Sequence, residues 1–137
     1  MSIDVRWDNN DHTIVLFTFS GSWTWVQFRD ACDTSLALHR EVSYLVASIY
    51  DMLEGDHLPT NFFSNARYAL DVTDPPNRTP TQVVVGAGFL IRSLGEVFYR
   101  MYGKRYGFGL SFVSSLDEAR ELALAELQET IQRASQD

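Results

Sequence analysis

The chain is predicted to form a single α/β domain: a mixed, mostly parallel sheet of about five strands, opened by a β-hairpin and accompanied by about four helices. Three observations carry this. Two short strand-like segments separated by turn residues stand at the start. Two nearly continuous apolar runs follow, "YLVASIY" and "TQVVVG", of the kind that central strands covered on both faces require. Between and after them lie amphipathic stretches of helical length. Strands joined through helices run parallel, so only the opening pair is expected to be antiparallel.

In "IDVRW", Ile3, Val5 and Trp7 share one face at period two, as a half-buried strand requires. "DNNDH" supplies turn residues, and "TIVLFTF" resumes as a more apolar strand that ends at Ser20 and Gly21. A helix start follows, in which Thr24 caps, Gln27 reaches back, and Trp23 and Phe28 form a hydrophobic staple. Trp25, Phe28, Cys32, Leu36 and His39 continue at helical spacing. "YLVASIY" is the third strand and ends at Asp51, where a polar loop begins. A second helix is expected from near Thr60, carrying Phe62, Phe63, Ala66, Ala69 and Leu70. "DVTDPPNRTP" must then be a long, mobile loop, because proline lacks an amide hydrogen and restricts the residue before it. "TQVVVG" is the fourth strand. "GFLIRSLGEVFYRMYG" is the third helix, locally weakened at Gly95, and "YGFGLSFV" alternates Phe108, Leu110 and Phe112 as the fifth strand. "SSLDEARELALAELQETIQ" closes the fold as a helix in which Ser115 and Glu118 form a capping box, and residues from 129 onward are expected to fray.

The 137 residues suit one ordinary domain, and a hydrophobic content of 45% gives it material for a core. A formal charge of −7 and a pI near 4.8 disfavour attraction to nucleic-acid phosphates or anionic headgroups, so neither is an expected partner. Cys32 is the only cysteine, which rules out an internal disulfide. The start lacks the basic and apolar regions of a signal peptide, and no apolar run approaches membrane-spanning length. A cytoplasmic protein without membrane insertion is expected.

In an open parallel sheet, ligands and partners meet the carboxyl ends of the strands, where helix amino termini also point. "SGSWTW", "DMLEGDHLPTN" and "GAGF" should converge there. The candidate binding residues are Asp51, Asp56, Thr60, Asn61, Phe62, Gly86 and Gly88, with Trp23 and Trp25 either bordering that surface or buried beside it. Asp51, Glu54, Asp56 and His57 are closely spaced oxygen and nitrogen donors, yet their spacing matches no established metal loop, and a solvated acidic loop accounts for them. Thr60 is a candidate phosphorylation site, since a phosphate at a helix amino terminus would meet unpaired backbone amides; capping accounts for it as well. Gly86 and Gly88 sit between strand and helix like a phosphate cradle, but Ile91 occupies the place of a third glycine, and tight packing of the turn is the expected use of both.

Cys32 reads as a small core residue, and His39 as a charge placed favourably at the end of the helix dipole. His12 and His57 add no metal signature, and neither "GxSxG" nor "HExxH" occurs. No cofactor, metal or catalytic residue is therefore expected. Arg92, Glu96 and Arg100 are spaced to pair along a helix face, while Arg100, Lys104 and Arg105 with Tyr99, Tyr102 and Tyr106 form a basic and aromatic patch suited to an acidic partner or a second copy.

The succession of "IDVRWDNNDHTIVLFTFSGSWTWVQF", "YLVASIYDM" and "VVVG" followed by "FYRMYG…SFVSSLDEA" resembles the STAS superfamily, and is most similar to its SpoIIAA-like branch, over about residues 3 to 127. The resemblance implies a non-enzymatic regulatory module that docks a protein partner, with some members binding nucleotides or lipids. It places Asp56 near the aspartate of the switch motif and Thr60 as a loose counterpart of the modified residue. The expected function is thus partner docking through the 51–61 loop and the following helix, with a homodimer also possible. The alternative is a small-ligand binder that holds a nucleotide or lipid-like molecule in the strand-end crevice.

Overall fold

A computed structural model describes residues 2–55 and 59–136. The elements run β1 (Ser2–Trp7), β2 (Ile14–Ser20), α1 (Trp25–Arg40), β3 (Ala47–Glu54), α2 (Phe62–Thr73), β4 (Thr81–Val85), α3 (Phe89–Tyr106), β5 (Gly109–Val113) and α4 (Leu116–Ser135). The sheet has five strands in the order β1-β2-β3-β4-β5. β1 is antiparallel to β2 and every later pair is parallel. This is the predicted class: one α/β domain on a mixed sheet.

Each strand-helix-strand unit steps one place in the same direction. Crossovers of a single hand then put α1, α2 and α3 on one face and leave α4 to cover the other. The side-chain alternation of the strands divides the core accordingly. Ile14 and Leu16 of β2, Ile49 of β3, and Val83 and Val85 of β4 meet Ala119, Ala123 and Leu127 of α4. Val15, Phe17 and Phe19 turn to the opposite face with Val84, where they meet Ala31 of α1 and Ile91 of α3. Alanines at Ala119 and Ala123, both fully buried, let α4 lie close to the sheet.

The predicted local signals operate at the helix starts. Thr24 Oγ1 accepts from Gln27 N at 3.2 Å while Gln27 Oε1 accepts from Thr24 N at 3.0 Å, a complete capping box. Trp23 and Phe28 pack with ring centroids 5.9 Å apart, closing the staple. Ser115 Oγ accepts from Glu118 N at 3.2 Å, and α4 carries Asp117 and Glu118 in its first turn. In the hairpin turn, Asn9 Oδ1 accepts from Thr13 N and Ile14 N at 3.0 and 3.2 Å.

Several boundaries differ from expectation. β3 does not end at Asp51 but runs on to Glu54, because β2 offers it partners further along. The register shifts across a bulge from Thr18↔Asp51 to Ser20↔Glu54, and Gly21 N donates to Glu54 O at 2.8 Å. α2 begins at Phe62, close to the expected start near Thr60, because Asn61 adopts left-handed angles (φ 62°) that no helix continues through. Gly95 lies inside an unbroken α3. A Cβ there would stand 3.2 Å from Phe112 Cζ, so the glycine serves a close approach of helix to sheet. α4 continues to Ser135, through the segment expected to fray. The proline-rich 71–80 segment is pinned, not loose. Thr73 still belongs to α2, and Asn77 Nδ2 donates to His39 O and Tyr44 O at 3.0 and 2.9 Å. Val46 N donates to Asn77 O at 2.9 Å, and Thr79 N to Val46 O at 3.1 Å.

Candidate functional site

The described strand-end residues Asp51, Gly86 and Gly88 lie along one edge of the sheet, and none of them lines the cavity described below. Asp51 pairs with Thr18 on one side and Val85 on the other, and its Oδ1 accepts from Leu53 N at 3.1 Å, a bond within its own strand. Gly86 follows Val85 in the left-handed region (φ 69°), donates to Val113 O at 3.0 Å, and has Leu53 where a Cβ would project. That glycine is required by backbone and space together. Gly88 has φ −69° and open space around a Cβ, so the turn-packing expectation does not extend to it. Thr60 contributes its carbonyl oxygen as acceptor to Trp25 Nε1, which ties the start of α2 to the start of α1. Asn61 makes no side-chain cap. Asp56 and His57 lie outside the described residues, as does the side chain of Phe62. Among the described residues no group of three or more potential metal ligands gathers anywhere.

A cavity of about 210 Å³ lies elsewhere, between the sheet and the layer formed by α1, α2 and α3. Its origin is a mismatch of side-chain size. The sheet presents Phe17, Phe19, Tyr50 and Phe112, and the helices facing them set the small groups Cys32, Ser35 and Ala66 among the large ones Trp25, Phe28, Ile91 and Phe98. Small groups set among rings leave a gap beside them that rotamer adjustment cannot fill. The ends of the gap differ in chemistry because strands and helices are read in order along it. Toward the carboxyl ends of the strands it is walled by Phe19, Met52, Trp23, Trp25 and Phe28. Trp23 and Trp25 meet edge to face at 5.2 Å and Trp25 meets Phe28 likewise at 5.5 Å. Toward the amino ends, where α1 finishes and β3 and β4 begin, it is walled by Ser35, His39, Ser48, Gln82 and the Asp74–Arg78 pair.

Most of these polar groups are already engaged. The Tyr50 hydroxyl donates to Gln82 Oε1 at 3.3 Å, and Gln82 Nε2 donates to Thr79 O at 3.0 Å. Burial raises the Tyr50 pKa, so the hydroxyl stays protonated. Arg78 holds both carboxylate oxygens of Asp74 and reaches Thr79 O and Gly107 O through Nη1 at 3.3 and 3.4 Å. His39 is the exception. It is 1% exposed, and its Nδ1 sits 2.8 Å from the carbonyl oxygen of Ser35. A carbonyl only accepts, so Nδ1 carries the proton and Nε2 presents a lone pair. That Nε2 is buried without a hydrogen-bond partner among the described residues.

The reading of His39 as a helix-end charge is corrected by this burial. Desolvation is the largest influence and lowers its pKa below 6.5; the Ser35 carbonyl and Asp74 oppose the shift, and Arg78 reinforces it. The neutral ring is the folded form. The unfolded chain therefore binds the extra proton first as pH falls, and His39 contributes stability above pH 6.5 that is lost as pH drops from there toward the folded value. Urea unfolding at pH 7.5 and pH 5.5 is expected to show a larger acid-side loss for the wild type than for His39→Gln. Equal losses would contradict a neutral, buried His39.

The sequence signal for this site was present but weak: Cys32, Ser35 and His39 recur along one face of α1 at spacings of three and four. Trp23, which is buried, and Trp25, which is half-buried, both border the cavity. Neither a scan of protein-family models nor a search of curated proteins returned a match to the chain.

Proposed function

We propose that the protein is a small-ligand-binding module, non-enzymatic and of STAS-like fold, that holds an apolar molecule in the cavity between the sheet and helices α1 to α3. The observation that carries the reading is the cavity itself: about 210 Å³, aromatic at one end and polar at the other. Preformed apolar spaces with a few polar groups are the usual form of a ligand site. The STAS-like assignment rests on the order of elements, an opening hairpin, alternating helix and strand, and a closing helix. This is the small-ligand alternative of the sequence reading, moved from the strand-end crevice to the interior. A nucleotide fits it poorly, because the cationic group on the wall, Arg78, is engaged by Asp74.

Docking of a protein partner at the 51–61 loop and α2 is a second reading, favoured by Leu53, which is 54% exposed beside Gly86. One experiment separates them. Melting temperatures are measured with one-ring and two-ring aromatic probes for the wild type and for Ala66→Phe, which puts a ring into the cavity from α2. A probe present at about 100 times its dissociation constant is expected to stabilise the wild type by about 2.7 kcal/mol and to leave Ala66→Phe unshifted. The absence of any shift in the wild type would discard the ligand reading and leave docking at the 51–61 loop and α2.

A further inference from the structure

The chemical class of the ligand can be narrowed, on the footing that the cavity is a ligand site. The walls are rings: Phe17 and Tyr50 stack at 4.5 Å, and Phe98 packs on Phe108 at 5.7 Å at the far side of the same space. Flat walls of this kind favour a flat guest. An apolar cavity of about 150 Å³ in another protein takes up benzene. The space of about 210 Å³ here suits two fused rings better than one.

The polar end sets the second requirement. Tyr50, Gln82, Asp74 and Arg78 are engaged with one another or with backbone, whereas His39 Nε2 is a buried acceptor without a partner among the described residues. A buried lone pair left unmatched is costly, and a guest that donates to it removes the cost. A carboxylate or phosphate cannot donate to it, and would be held only by a ring protonated at Nε2, which burial disfavours. Arg78, the cationic group on this wall, is engaged by Asp74.

We infer that the ligand is a neutral bicyclic aromatic molecule bearing one hydroxyl or N–H donor, and that His39 Nε2 accepts that hydrogen bond. The rings lie among Phe17, Tyr50 and Phe112, and the donor points toward the end of α1. This excludes fatty-acid anions and nucleotides from the cavity.

The test uses 2-naphthol, naphthalene and 2-naphthoate as probes, with dissociation constants measured by titration for the wild type and His39→Phe. The ratio of the naphthalene to the naphthol constant is expected to fall about tenfold in His39→Phe, the value of one hydrogen bond. Naphthoate is expected not to bind. Should His39→Phe fail to fold, the ¹⁵N resonance of His39 Nε2 in the wild type serves instead; it is expected to shift on adding naphthol and to stay in place with naphthalene. Naphthol and naphthalene binding with an unchanged ratio, an unmoved Nε2 resonance, or tighter binding of naphthoate would overturn the donor requirement while leaving the cavity as a ligand site. Binding of none of the three to the wild type would overturn both.

Discussion

Gly55→Ala is expected to destabilise the protein by about 2–3 kcal/mol, with the melting temperature falling by about 6–12 °C. Gly55 is buried directly after β3, against the end of β2. A Cβ there would stand 2.6 Å from Phe19 Cβ and 2.8 Å from the Phe19 backbone carbon. The obstacle is main chain, which cannot rotate aside as the tip of a side chain can. Either the β2–β3 bulge must open or the turn after Glu54 must move. The effect reaches the cavity too, because Trp23 Nε1 donates to Gly55 O at 3.4 Å and Trp23 is part of the aromatic wall. Ligand affinity is therefore expected to drop along with stability. Gly88→Ala is the control: its Cβ would meet nothing within 4 Å, and it is expected to cost under about 1 kcal/mol as an N-cap change. Urea unfolding of both variants checks this, and equal effects would mean that the approach of Gly55 to Phe19 is not a close one.

Gly55 marks the limit of what a sequence discloses about this fold. Properties that depend on neighbours in the chain were legible. The period-two face of β1, the continuously apolar β2, the Thr24–Gln27 box and the Trp23–Phe28 staple are short-range, and each appears as read, while of the Ser115–Glu118 box the Ser115 half is present. The parallel order of the later strands followed from their connections. Features that depend on partners distant in the chain were not legible. β3 extends past Asp51 only because a bulge in β2 keeps presenting hydrogen-bonding groups to it. The 71–80 segment is held because Asn77 reaches the carbonyls of His39 and Tyr44, 38 and 33 residues away. His39 read as a charge favourable to the helix dipole, yet it is buried and neutral where Asn77 of the same segment binds its carbonyl. The cavity was invisible for a related reason: a small residue such as Ala66 or Ser35 creates space only when a specific large residue stands opposite, and pattern along one chain segment does not reveal what stands opposite. Expectation placed the site at the strand ends, where parallel sheets usually bind; the aromatic and small residues place the space one layer deeper.

On the other face of the sheet, Arg120→Ala is expected to cost about 2–4 kcal/mol, a large effect for a partly exposed side chain. Arg120 of α4 grips Asp8 at the hairpin turn through two parallel bonds, Nε to Oδ2 and Nη2 to Oδ1, both 2.9 Å. The two partners are unequally buried: the Asp8 side chain is 5% exposed and that of Arg120 42%. Removing the arginine strands a carboxylate that water scarcely reaches, and breaking such a pair costs about 3–5 kcal/mol when both charges are buried. The exposure of Arg120 reduces that figure, because its own desolvation in the folded state is incomplete. The hydrogen bonds to Asp8 also raise the guanidinium pKa, the thermodynamic counterpart of the same attraction. Asp117, 3.7 Å from Nη1 but almost wholly exposed, adds little. A double-mutant cycle with Asp8→Ala is expected to return a coupling of about 1–3 kcal/mol, most of it persisting at high salt because the inner carboxylate is sheltered from counterions. Arg6→Ala, which breaks the Arg6–Asp4 pair at 3.5 Å with both side chains mostly exposed, is expected to be nearly neutral. A coupling for Arg120 and Asp8 that vanishes in salt would mean that burial of Asp8 does not decide the energetics. The clamp joins the first hairpin to the last helix, residues 112 apart in sequence, and it leaves the cavity untouched, so ligand affinity of the folded Arg120→Ala protein is expected to match the wild type.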